Sequence, residues 1–321
     1  MKRGVLCPGF GAQYAGMGKE LYDSFRVVQE YFEEASDCSG INFVKLCFAS
    51  SDEELAEVTN AALSLYLWGA ASQALLKDQN VRIDMVGGLD LIGWYSALHG
   101  AGAITFPDGL YILRKWSELY QAFAAQNTDE YITITVSDVA IVTMLETLCD
   151  RLRAQGHRIA IVRHTPQAVV VSGARESLDM YADIVKREEK DISIEFHMIL
   201  ESPELLLPED TVAQLLQYLE KVDFHAPQIA IAHPFELNWL TQPQDISSCA
   251  RALFVRSYRT DFVVRMLQQS DELVSVVPAY MMTSLYKSWL PHYKIWTIDT
   301  LSTLEEVRSA WATVQAGEDS V

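Results

Sequence analysis

Between Tyr131 and Ile194 the hydrophobic pattern reads strand, helix, strand, strand, helix, strand, an order that very few folds accommodate. The segments are Tyr131–Val136, Val139–Gln155, Arg158–His164, Ala168–Ser172, Ala174–Lys186 and Ile192–Ile194. This β-α-β-β-α-β succession is the split βαβ, or ferredoxin-like, unit, which folds as a compact antiparallel module. On either side the texture changes to strands alternating with helices, the pattern of a parallel sheet covered by helices. Before the module come the strand Gly4–Cys7, the turn Pro8-Gly9-Phe10-Gly11 and helical spacing over Met17–Phe32. Helices rich in Ala and Leu follow over Asp52–Gln79, then the strand Arg82–Gly88, a buried helix Ile92–Ala103 and another helix Pro107–Ala125. After the module, helix Asp210–Lys221, strand Gln228–Ala232, helices Asp245–Arg256 and Asp261–Gln269, strand Leu273–Val277 and helix Met281–Trp289 resume the alternation. The spacing therefore predicts an α/β core of residues 1–127 and 196–321 with a ferredoxin-like subdomain inserted at 128–195, and a frayed end from about Gln315.

Composition excludes several functions. The 321 residues, half of them hydrophobic, suffice for a sizeable core. No apolar run approaches the ~20 residues of a membrane helix. The N-terminus meets Pro8 and a glycine-rich turn before any apolar segment long enough for a secretion signal, so a cytoplasmic protein is expected, without a membrane partner. Five scattered cysteines form no C-x-x-C pair and indicate neither a disulfide framework nor a metal site. A net charge of −18 repels phosphate backbones, which argues against nucleic acid. Gly9-Phe10-Gly11 and Gly87-Gly88 lack the continuation of a phosphate loop, and no cofactor is expected.

A series of local motifs, in order from residue 5 to about 290, resembles the malonyl-CoA:acyl carrier protein transacylase family. Cys7-Pro8-Gly9-Phe10-Gly11-Ala12-Gln13 is similar to the family opening F-P-G-Q-G-S-Q, and Gly16-Met17-Gly18-Lys19-Glu20-Leu21 to the G-M-G-x-E-L behind it. Tyr95-Ser96-Ala97-Leu98, Ala101-Gly102-Ala103 and Phe106-Pro107-Asp108 resemble the helix after the nucleophile elbow. His164-Thr165-Pro166-Gln167 with Val169-Val170-Val171-Ser172-Gly173 is similar to N-S-P-G-Q-V-V-I-S-G. Phe224-His225-Ala226-Pro227 and Val277-Pro278-Ala279, with Thr283 and Leu285, resemble F-x-A-P and V-G-P-G-x-x-L-T-G-L. The resemblance implies a hydrolase-like parallel-sheet core with the ferredoxin-like insert and a cleft between them. It also implies an acyl carrier protein, an acyl-CoA or a synthase complex as partner, in fatty-acid or polyketide-type biosynthesis.

The same resemblance locates the family's chemistry and shows it replaced. The family sets a serine nucleophile on a strained strand-to-helix turn, G-H-S-x-G-E. Here the turn reads Gly88-Leu89-Asp90-Leu91-Ile92-Gly93, and Asp90 or Leu91 takes the serine position depending on the register. Phe10 stands for the glutamine bordering the oxyanion site, and Trp116 for the arginine that grips the malonyl carboxylate. Arg114 lies about 200° round the helix from Trp116. Phe10, Trp116 and Gln13 are the candidate substrate-binding positions. His197, at the end of the strand after Asp191, matches the catalytic histidine, but without a nucleophile it is read as retained for structure. The implied function is a transacylase-like protein that is non-catalytic or strongly altered and serves as a binding or assembly partner. The alternative is an acyltransferase or thioester hydrolase using Asp90 or a water activated by His197. Phe10, Leu91 and Trp116 are expected to converge on the cleft, either closing it as an apolar plug or shaping an apolar cavity.

Overall fold

The computed structural model describes residues 1–189, 192–197, 207–276 and 283–312. Its strands, in chain order, are β1 (Arg3–Cys7), β2 (Met85–Gly88), β3 (Glu130–Thr135), β4 (Ile159–His164), β5 (Ala168–Gly173) and β6 (Ile194–His197), then β7 (Ala230–Ala232), β8 (Trp239–Leu240), β9 (Tyr258–Arg259), β10 (Glu272–Ser275) and β11 (Ile295–Thr297). They form two sheets, of order β11-β10-β1-β2-β7-β8 and β6-β3-β5-β4-β9. The larger is parallel apart from β8, which runs antiparallel beside β7. β1 and β2 are buried along their whole length, and such strands lose the period-two alternation and read as continuous apolar runs.

Helices cover the large sheet. The helix Val58–Asp78 is buried on almost every side between Leu91–Gly100 and Phe106–Ala124, which its small and straight-chain residues permit without strain. Phe106–Ala124 starts where its pattern says it should, with Thr105 accepting the Asp108 N–H at 3.2 Å and a proline in the first turn. The long apolar stretch from residue 52 divides into Asp52–Ala56 and Val58–Asp78, and Met17–Phe32 is interrupted at Phe25, whose extended backbone separates Lys19–Ser24 from Arg26–Ser39.

The small sheet holds β6, β3, β5 and β4 antiparallel, with the helices Val139–Ala154 and Arg175–Glu188 packed on it. Ile132 and Ile134 from β3 and Val169 and Val171 from β5 point to one face and meet Leu145, Leu148, Leu178 and Tyr181 in a second, separate core. The fold is therefore α/β, a hydrolase-like parallel core carrying a ferredoxin-like subdomain. One strand is additional to the split βαβ pattern: β9, which comes from the core, lies parallel to β4 through only Arg163↔Tyr258 and His164↔Arg259. Two residues are too few to show a period. The core helix expected over Asp245–Arg256 also ends early, as Pro243–Ala252, and releases Leu253–Ser257 as a turn ahead of β9. Val277-Pro278-Ala279, Asp191, the Glu201–Leu206 stretch and the tail from Gln315 lie outside the described residues. No described helix is long and apolar enough to cross a membrane.

Candidate active-site cleft

The cleft is built at the carboxyl end of β2. Leu89 N–H donates to the Cys7 carbonyl at 3.0 Å, which holds the turn after β2 against the end of β1. Asp90 is the N-cap of the helix Leu91–Gly100: its Oδ1 accepts the Gly93 N–H at 2.9 Å and its Oδ2 accepts the Phe10 N–H at 2.8 Å. The two oxygens thus take one backbone donor from Asp90's own helix and one from a residue 80 positions earlier in the sequence. Glycine is required on both sides of this contact. A Cβ on Gly9 would stand 1.8 Å from the Asp90 carboxylate, and one on Gly93 would stand 2.3 Å from the Cys7 carbonyl.

Asp90 has φ −151°, ordinary extended backbone, and among the described residues Asn80 alone of the non-glycines has positive φ. The turn is an aspartate cap with no strain to hold a side chain up toward a substrate. It is fixed further by Tyr258, whose hydroxyl donates to the Gly88 carbonyl at 2.7 Å, and by Thr260, whose hydroxyl donates to the Leu89 carbonyl at 2.7 Å. Burial, then the nearby Asp90 charge, raises the Tyr258 hydroxyl well above its usual pKa, so it stays a donor.

Phe10, Asp90, Leu91 and Trp116 line one cavity of about 110 Å3. Ile161, Val162 and Arg163 of β4 form its opposite wall, and the Leu253–Tyr258 segment closes it. The cavity therefore lies between the parallel core and the inserted subdomain. Trp116 is 7 % exposed and packs on Tyr120 with ring centroids 5.4 Å apart. Its volume falls well below the roughly 300–1,000 Å3 typical of sites for drug-sized ligands. Arg114 is directed elsewhere, with Nε 2.8 Å from Glu118 and Nη1 2.7 Å from the Ser39 carbonyl. Gln13 is not among the lining residues; its Oε1 accepts the Gly11 N–H at 2.9 Å within its own loop. His197 ends β6, where its backbone pairs with Tyr131.

The sequence reading missed the Leu253–Tyr258 wall. The amphipathic pattern runs on through Arg256, so nothing in it signals that the helix stops. His99 and His233 are held in the core: Tyr31 Oη lies 2.8 Å from His99 Nε2, and His233 Nε2 lies 3.2 Å from Cys249 Sγ. Since His233 Nδ1 accepts the Phe235 N–H at 3.0 Å, neutral His233 carries its proton on Nε2 and cannot deprotonate Cys249. Burial pushes that thiol up to about 12, so this buried pair is not an activated nucleophile.

A parallel sheet, a ferredoxin-like insert and a cavity at the strand ends between them define an acyltransferase-type α/β protein. The chain belongs to the acyl transferase domain family, whose profile matches residues 5–232. It is 26 % identical over 252 residues to a malonyl CoA-acyl carrier protein transacylase of Bacillus subtilis, a match covering 76 % of each chain. The polyketide biosynthesis malonyl CoA-acyl carrier protein transacylase BaeC of Bacillus velezensis is 30 % identical over 195 residues, 60 % of this chain and 62 % of that one. The crystal structure of FabD from Acinetobacter baumannii shares the fold with a TM-score of 0.84, at 22 % identity over 98 % of this chain and 99 % of that one.

Proposed function

We propose that this chain has lost acyl transfer and acts as a binding or assembly partner in fatty-acid or polyketide-type biosynthesis, engaging an acyl carrier protein or an acyl-CoA. On this reading residues 1–127 and 196–321 are the acyltransferase-like core and 128–195 the subdomain. The observation that carries it is the double engagement of Asp90. An acyl-transfer site needs a nucleophile at the head of the helix and unspent backbone donors for the oxyanion, one donor being worth about 3 kcal/mol of barrier. Asp90 supplies no hydroxyl, and its carboxylate consumes the Phe10 N–H and the Gly93 N–H. A carboxylate with each oxygen hydrogen-bonded is also a poor nucleophile.

Three further features support the reading. Trp116 and Leu91 are bulky apolar walls of a cavity of only about 110 Å3, Arg114 is engaged away from it, and the Asp90 charge repels a malonyl carboxylate. His197, with no hydroxyl to deprotonate, serves structure. The test is incubation of the purified protein with malonyl-CoA and with acetyl-CoA, in the presence and absence of holo acyl carrier protein. Intact mass and free coenzyme A are then read out. Unmodified protein and unchanged thioester are expected. An acyl adduct, or transfer abolished by Asp90→Asn, would establish the enzymatic alternative instead.

A further inference from the structure

A second cavity, of about 240 Å3, lies at the other end of the large sheet, before the amino ends of β1 and β2. It is lined by Arg3, by Gln79, Asn80 and Val81 after the helix Val58–Asp78, and by Glu305, Arg308, Ser309 and Trp311 of the helix Leu301–Ala312. Arg3 is 6 % exposed. Among the described residues its guanidinium makes one hydrogen bond, Nη2 to the Trp311 carbonyl at 2.6 Å, and it stacks over the Trp311 ring with Cζ 4.8 Å from the centroid. No carboxylate among the described residues forms an ion pair with it, and its Nε has no partner. A buried guanidinium with five donors and one acceptor is costly unless something else meets it. The Trp311 carbonyl accounts for one donor only.

We propose that this cavity binds a small tetrahedral oxyanion of the phosphate or sulfate class. Arg3 supplies the buried charge. Arg308, whose Nη1 pairs with Glu305 at 3.0 Å on the exposed rim, supplies a second. Asn80 lies at the cavity wall, where φ 56° turns the chain, while the Gln79 amide donates to Asp78 Oδ2 at 2.8 Å. A water occupies about 30 Å3 of liquid, so the cavity has room for a hydrated small anion, and it is smaller than a site for a drug-sized ligand. In a chain of net charge −18, Arg3 and Arg308 against the single lining carboxylate of Glu305 leave this cavity net positive, a local site for such an anion that the molecule as a whole does not offer. The bound ion would tie the first strand to the last described helix.

The experiment follows the unfolding midpoint of the whole protein against inorganic phosphate, sulfate and chloride at matched ionic strength, with calorimetric titration of phosphate. Phosphate and sulfate should raise the midpoint and chloride should not. Arg308→Gln, at the rim and away from the core, should weaken phosphate binding roughly tenfold or more through loss of a charge-assisted contact. Arg187→Gln, exposed on the helix Arg175–Glu188, should leave the response as in the wild type. Equal shifts in phosphate and chloride, or a phosphate response untouched by Arg308→Gln, would overturn the proposal.

Discussion

Asp90 Oδ2 accepts the backbone N–H of Phe10 at 2.8 Å, so the strand-to-helix turn after β2 and the loop after β1 are closed on each other by one carboxylate. The contact is a cap, a tether and an occupied donor at once. Asp90→Ala should remove both hydrogen bonds and cost about 2–3 kcal/mol, combining a lost N-cap with a part-buried N–H left bare. Asp90→Asn should cost less, because one amide oxygen still accepts. Urea unfolding of the two variants reads the difference, and equal losses would show that the carboxylate does not bridge both donors.

Trp116 controls the volume of the cleft. Trp116→Ala should destabilise the fold by about 3–5 kcal/mol, the usual range for emptying a buried aromatic site. Binding of acetyl-CoA, measured by calorimetry, should strengthen in the same variant because the acyl space opens. Unchanged binding would mean that Trp116 does not limit access.

Tyr258 ties the strand that joins the small sheet to the end of β2, through its 2.7 Å hydrogen bond to Gly88. Tyr258→Phe keeps the ring and leaves a buried carbonyl without its donor. The expected cost is about 1–3 kcal/mol. Hydrogen exchange should also quicken in β4, whose pairing with β9 rests on two residue pairs.

Burial lowers the pKa of His99, of His164 (with Arg259 also lowering it and Asp261 and Glu146 opposing) and of His233, so the folded protein protonates them less readily than the unfolded chain does. The unfolded chain protonates them near about 6.5 and then binds more protons than the native state. Stability should therefore fall as pH drops below about 6.5, ahead of the carboxylate range. His99→Gln should make the slope shallower between about pH 6.5 and 5.5. Urea midpoints across that window test it, and an unchanged slope would remove His99 from the account.

Cys38 is exposed, whereas Cys7, Cys47, Cys149 and Cys249 are buried and their thiols are raised by desolvation. Native protein should release one equivalent of chromophore from Ellman's reagent, slowly because desolvation, with the Glu34 and Asp37 charges adding to it, raises the Cys38 thiol. Denatured protein should release all five.

The sequence by itself determined the layered architecture. Long amphipathic or wholly apolar segments such as Val58–Asp78 and Phe106–Ala124 carry their periodicity locally, and the βαββαβ order admits one sheet arrangement, the observed β6-β3-β5-β4. It also named Phe10, Asp90, Leu91 and Trp116, since matched motifs fix positions along the chain. The tertiary structure alone decided that Asp90 is a tether as well as a cap: its carboxylate can accept the Phe10 N–H only because the fold brings β1's loop, 80 residues away in sequence, within 2.8 Å. It alone placed Tyr258 in the small sheet and turned Leu253–Ser257 into a cavity wall, because a two-residue strand has no period to read. Gln13 and Trp116 mark the boundary between the two kinds of information. Both positions follow from motifs, yet Gln13 turns back onto Gly11 while Trp116 packs on Tyr120 in the cleft, a choice made by which neighbours the fold supplies to a polar amide and to an indole.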